Sequence, residues 1–219
     1  MGFLVGFLFW QSSYGIQLPT TNYQLLTTLF YLLFNTFFIT ILAIVFLTDL
    51  KKMLIYDRII LPAIIIGFLL NLSFIIYKIA YLYYYLSQSR VGQLLLPPHS
   101  DYFQRHVLMT AQPFLGSLFM AILIGAFFWG PIILTKGKGM GGGDVKLGAF
   151  MGLMLGFPSS LVALIFAFFT GALVSLILIV FRKKHFGQTI AFGPFLVMGA
   201  LIALFWGQII LDWYLRIGS

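Results

Sequence analysis

Gly139-Met140-Gly141-Gly142-Gly143-Asp144-Val145-Lys146 is the polar, glycine-dense interruption in a sequence otherwise built from long apolar runs. Downstream, Leu147 to Phe181 gives 35 residues without a charge. A single helix of that length far exceeds the roughly 30 Å hydrocarbon layer of a bilayer. The turn signal Gly156-Phe157-Pro158-Ser159-Ser160 divides it. The run therefore reads as a short helix from Asp144 to Leu155 followed by a longer one from Ser160 to Phe181. Asp144 closes the glycine run and opens the short helix. Glycines there permit positive φ and close approach of another segment. A carboxylate at a helix start meets free N–H groups and the positive end of the helix dipole. The stretch reads as half of an active site.

Composition sets the class. Of 219 residues, 61% are hydrophobic and 8% charged, and the mean hydropathy is +1.04. A soluble domain carries about 25% charged residues, so the chain reads as an all-α polytopic membrane protein. The 13 Lys and Arg against 5 Asp and Glu give a net charge of +8. These cations lie mostly in short loops between apolar runs, which is the pattern that orients membrane proteins and not a nucleic-acid footprint. There is no cysteine, so disulfides and thiolate metal sites are excluded. The acids are all aspartates: Asp49, Asp57, Asp101, Asp144 and Asp212.

Six transmembrane helices are expected. They run from about Leu26 to Thr48, from after Arg58 to Leu86, from Pro113 to Thr135, from Asp144 to Leu155, from Ser160 to Phe181 and from Ile190 to Leu211. Residues 1–25 read as a partial apolar segment, the end of a span begun elsewhere, plus a polar outer loop; residues 26–219 form the main domain. Met1 to Trp10 lacks the basic n-region of a signal peptide. Lys51, Lys52 and Arg58, then Lys136, Lys138 and Lys146, then Arg182 to Lys184 fall on one side, which the positive-inside rule makes cytoplasmic. Asp49, Asp57 and Asp144 gather on that side, and Asp101 and Asp212 on the other. The short helix carries Gly148, Gly152 and Gly156, a flat face for close helix packing. Such packing is expected to bring the Asp144 end against the first span.

Paired aspartates hydrolyse peptides. Two adjacent carboxylates do not both ionise readily, so the pair holds one proton. The ionised member takes a proton from water while the protonated one polarises the scissile carbonyl. No metal or cofactor is required. The plainer reading makes Asp49, Asp57 and Asp144 solvated helix-end residues paired with Lys51, Lys52, Arg58 and Lys146. A different functional class is a transporter or assembly subunit whose aspartates bind protons or cations.

Gly141-x-Gly143-Asp144, extended to Gly-Met-Gly-x-Gly-Asp-x-Lys, resembles the signature of the prepilin peptidases (type IV leader peptidases). Archaeal preflagellin peptidases share it, and presenilin-type proteases do so more loosely. Thr48-Asp49-Leu50 followed by Asp57-Arg58-Ile59-Ile60-Leu61-Pro62 resembles the family's first aspartate block, and Phe192-Gly193-Pro194-Phe195 its last-span block. The blocks are in order and cover about residues 26 to 206. The resemblance implies that Asp49 and Asp144 are the catalytic aspartates. Gly141, Gly143, Lys146 and Asp57 then belong to the active-site loops. Tyr56 stands where the family typically has proline.

The resemblance further implies a prepilin or pseudopilin substrate cut after a glycine at the cytoplasmic face of the bacterial inner membrane, with membrane lipid as the other partner. Many bacterial members carry a cytoplasmic domain with paired Cys-x-x-Cys linked to N-methylation. Neither feature is present in this sequence, so methyltransferase activity is not carried over. The chain resembles the peptidase portion of a longer protein or a reduced member. Gly193-Pro194 reads as a helix start or kink. His99, Asp101 and His106 read as an outer loop and not a metal site. His185 reads as part of a solvated basic flank, and Lys78 as a cation snorkelling outward from the tyrosine-rich end of the second span.

Overall fold

In a computed structural model, residues 21–98, 100–136, 141–181 and 191–217 are described. The described residues form helices α1 (Thr21–Lys52), α2 (Asp57–Ser87), α3 (Arg90–Leu94), α4 (Tyr102–Leu134), α5 (Gly142–Leu155), α6 (Ser159–Val180) and α7 (Gly193–Ile217), with no strand among them. The partial segment expected over residues 1–25 lies almost wholly outside the described residues, as do Gly139, Met140, Lys138, His99 and the basic stretch Arg182 to His185.

Five helices, α1, α2, α4, α6 and α7, are long and apolar enough to cross a membrane. The protein is a multi-pass, all-α membrane protein. The expected fourth span, Asp144 to Leu155, is α5, and its 14 residues rise only about 21 Å, short of the hydrocarbon thickness. It is instead the inner helix of the bundle. From Leu147 to Met154 every residue but Ala149 is buried. A helix that is apolar all round must be enclosed, and α5 is enclosed by protein. Other boundaries move as well. Hydropathy starts the third span at Pro113, yet α4 begins at Tyr102 and carries Pro113 and Pro131 inside it. Its polar first turns escape a pattern that reports only the lipid-matched part.

The face made by Gly148, Gly152 and Gly156 packs on α4, not on the first span. A Cβ on Gly148 would lie 2.6 Å from the Phe128 ring, and one on Gly152 would lie 2.6 Å from the Met120 carbonyl oxygen. Backbone therefore approaches backbone there. At Gly156, with φ +64°, the helix stops against Ser117. α1 meets the opposite side of α5, where Phe37 and Phe38 contact the ring of Phe150 at 6.3 and 5.5 Å between centroids. On α2, Gly67 admits Met154. α6 and α7 pack as closely as α4 and α5 do, with Gly199 held against the backbone at Ala163 and Ala167.

At the other end of α2, Lys78 does not reach outward. Its Nζ lies 4.4 Å from the Phe74 ring centroid and donates to Tyr31 Oη at 3.4 Å, bridging to α1. Aromatic faces solvate the cation within the helix pair. His106 Nδ1 is 2.9 Å from its own helix's Tyr102 carbonyl.

Candidate active site

Asp49 continues a buried stripe along α1. Phe38, Leu42, Val45 and Asp49 recur at helical spacing and are at most 4% exposed. The carboxylate thus points into the bundle, while Lys51 and Lys52 of the same last turn are exposed. α1 ends at Met53, whose φ of 50° and N–H bond to the Asp49 carbonyl (2.8 Å) make a left-handed cap. The connector to α2 follows at once.

The start of α7 meets the Asp49 carboxylate. Phe192, wedged between Phe128 and Phe168 at 5.9 and 5.1 Å, fixes where α7 begins. Pro194 sits in its first turn, where a missing N–H costs nothing. Gly193 lies directly against the Asp49 carboxylate, so that a Cβ there would overlap Oδ2. The Gly193 N–H points at the carboxylate. Asp49 Oδ2 is nevertheless buried without a hydrogen-bond partner among the described residues. A buried carboxylate oxygen left unpaired is costly, and such sites repay a search for function.

Asp144 stands in the first turn of α5, which Gly141 precedes in extended conformation. It lies outside the five membrane-crossing helices. Burial, then the charge of Asp49, raise its pKa to about 7, against a smaller opposing effect from hydrogen bonding to the Gly141 backbone. The two carboxylates are therefore close enough to repel. Gly143 is held more tightly than Gly141. A Cβ on Gly143 would lie 2.8 Å from that of Ile55, whereas one on Gly141 would meet only the Gly143 backbone nitrogen, at 4.0 Å. Ile55 also reaches Gly193, with its Cδ1 3.4 Å from the position of a Cβ there. One apolar side chain thus fills the space between the glycine before Asp144 and the glycine beside Asp49.

Lys146 Nζ bonds Asp57 Oδ1 at 2.6 Å. The four acidic and glycine positions expected at the site, with Lys146 and Asp57, all come to one end of the bundle. Asp101 precedes α4 and Asp212 lies near the end of α7, both at the opposite end. Sequence reasoning missed the roles of Ile55 and Gly193. The signal for Gly193 was present in Phe-Gly-Pro-Phe, but its contact with Asp49 is tertiary. Among the described residues no three His, Asp or Glu side chains cluster as metal ligands.

Comparison with known proteins gives a consistent picture. A sequence profile of the type IV leader peptidase family matches residues 36–176. The chain is 36% identical over 101 residues to a protein of Aeromonas hydrophila named prepilin leader peptidase/N-methyltransferase, covering 46% of this chain and 35% of that one. It is 42% identical over 76 residues to the Legionella pneumophila protein of the same name, covering 35% and 26%. The Pseudomonas aeruginosa protein of that name is 33% identical over 101 residues, covering 46% and 35%. The matched stretch thus spans about a third of the length of these relatives. No solved structure matches.

Proposed function

Because the chain belongs to the type IV leader peptidase family, we propose that it is an aspartic endopeptidase that removes the basic leader of a prepilin or pseudopilin. Asp49 and Asp144 are the reacting pair. The observation that carries this reading is geometric: Ile55 packs against both Gly143, the neighbour of Asp144, and Gly193, which lies against the Asp49 carboxylate, so two acids from distant segments share one end of the bundle, where burial and the charge of Asp49 raise the pKa of Asp144. Such a pair holds one proton between two groups. The ionised carboxylate accepts a proton from the attacking water. The protonated one donates to the carbonyl oxygen of the scissile bond, and the proton taken from water passes on to the leaving amine.

Asp49 is buried on the inner face of α1, with Gly193 directly against its carboxylate, which supports a role in the bundle and not a solvated helix-end role. The substrate's apolar segment stays in lipid beside the bundle, which leaves the junction with its leader at the end that holds the two acids. The basic residues at this end, Lys51, Lys52, Arg58, Lys136 and Lys146, support a cytoplasmic orientation in a bacterial inner membrane. A transporter would carry its acids near the middle of the bundle on a path open at both ends. Here both lie at one end. The proposal is confined to peptide cleavage and does not extend to the N-methyltransferase activity in the relatives' names.

The test is leader removal from a co-expressed prepilin. Asp49→Asn and Asp144→Asn each abolish cleavage while the protein still inserts. A single variant that retains full activity overturns the dyad.

A further inference from the structure

The geometry points to the Asp57–Lys146 ion pair as a latch that sets the separation of the two carboxylates, making Asp57 and Lys146 positioning residues. This rests on the reading of Asp49 and Asp144 as the reacting pair. The bond is short, 2.6 Å, between side chains 58% and 34% exposed. At that exposure a pair adds little to the stability of the fold, so its value lies in what it joins. Lys146 follows Asp144 by two residues on α5. Asp57 opens α2 immediately after the connector that leaves Asp49.

Within that connector Met53, Leu54 and Tyr56 are exposed, Met53 and Tyr56 contact the end of α1 from which they leave, through Asp49 and Lys52, and Ile55 is the inward anchor. Tyr56 caps α2 without a side-chain hydrogen bond, and Gly141 caps α5 likewise. A carboxylate in the first turn of α2 is well placed to serve its own helix N–H groups. Asp57 is engaged across the gap with Lys146 instead. The ion pair therefore fastens two helix starts that lack side-chain caps of their own, each beside one reacting carboxylate. Without it, α5 and the end of α1 move relative to each other, and the carboxylates spend less time at bonding separation.

The experiment compares Asp57→Asn, Lys146→Gln and the charge swap D57K/K146D in the full chain. Three quantities are read: kcat and KM on a prepilin substrate, the thermal midpoint, and a spin-label distance. The labels sit on Lys51→Cys and Lys136→Cys, exposed positions in a chain without cysteine. The single variants lower kcat about fivefold, leave KM and the thermal midpoint unchanged and broaden the label distance distribution. The swap restores kcat and the distribution. Single variants with unchanged kcat and unchanged distances overturn the latch, and so does a swap no better than either single variant. If wild type and Asp49→Asn prove equally inert, the peptidase reading fails, and the label distances still decide the latch.

Discussion

Gly193 and the Asp49 carboxylate share the space that a single methyl group would need. The helix start and the acid are fitted to each other with no margin. Gly193→Ala must therefore displace the Asp49 carboxylate or tilt α7. An ångström of misplacement in a catalytic constellation costs about 100-fold in rate. That loss in kcat is the expected result, with membrane insertion unchanged. Cleavage by Gly193→Ala at the wild-type rate removes Gly193 from the site.

The pH dependence follows from Asp144. Its pKa is raised from 3.8 to about 7 by burial and by Asp49. The pair needs one shared proton, so cleavage declines as pH climbs through about 7. Stability carries the same sign. A carboxyl whose folded pKa is raised favours the folded state fully below its unfolded value, and that contribution is lost as pH rises through the folded one. The thermal midpoint of the wild type thus falls between pH about 4 and about 7 by more than that of Asp144→Asn, and the difference is constant above that range. Infrared titration of the carboxyl band in Asp49→Asn is expected to show Asp144 ionising at lower pH than in the wild type.

Glycines of α5 separate into two kinds. On Gly152 a Cβ meets the Met120 backbone, which has no rotamer to yield, whereas on Gly142 it meets nothing within 4 Å. Gly152→Ala is expected to cost about 1–3 kcal/mol by overpacking, and Gly142→Ala to be neutral. Thermal unfolding in detergent tests the pair, and equal midpoints for the two variants count against the α4–α5 contact.

Asp101→Asn is expected to leave cleavage within about twofold of wild type, as befits an exposed surface substitution. Loss of cleavage from this change alone inverts the topology.

Much of this was legible in the amino-acid order. The charge-free runs located the helices, and the break at Gly156 to Ser160 separated α5 from α6, because charge and turn chemistry act locally. Asp49 and Asp144 stood out as acids at helix ends beside glycine. Besides Ile55 and the contact of Gly193, three features of the fold were not legible. The face of Gly148 and Gly152 announces close packing but does not name its partner, and α4 took the place expected for α1. A hydropathy pattern cannot see the polar first turns of α4. Lys78 looked bound for water because its ring partners, Phe74 and Tyr31, lie one on its own helix and one across the helix pair.

α5 is wrapped by its neighbours and ends on Ser117, shorter than the hydrocarbon layer is thick. Its height is fixed by side chains and not by acyl tails. A change in lipid chain length strains helices that must match the hydrocarbon slab, but it finds little purchase on α5. The acid that α5 presents should keep its depth in thin and thick membranes alike, so turnover in vesicles of different chain length should vary less than the tilt of α2 or α4.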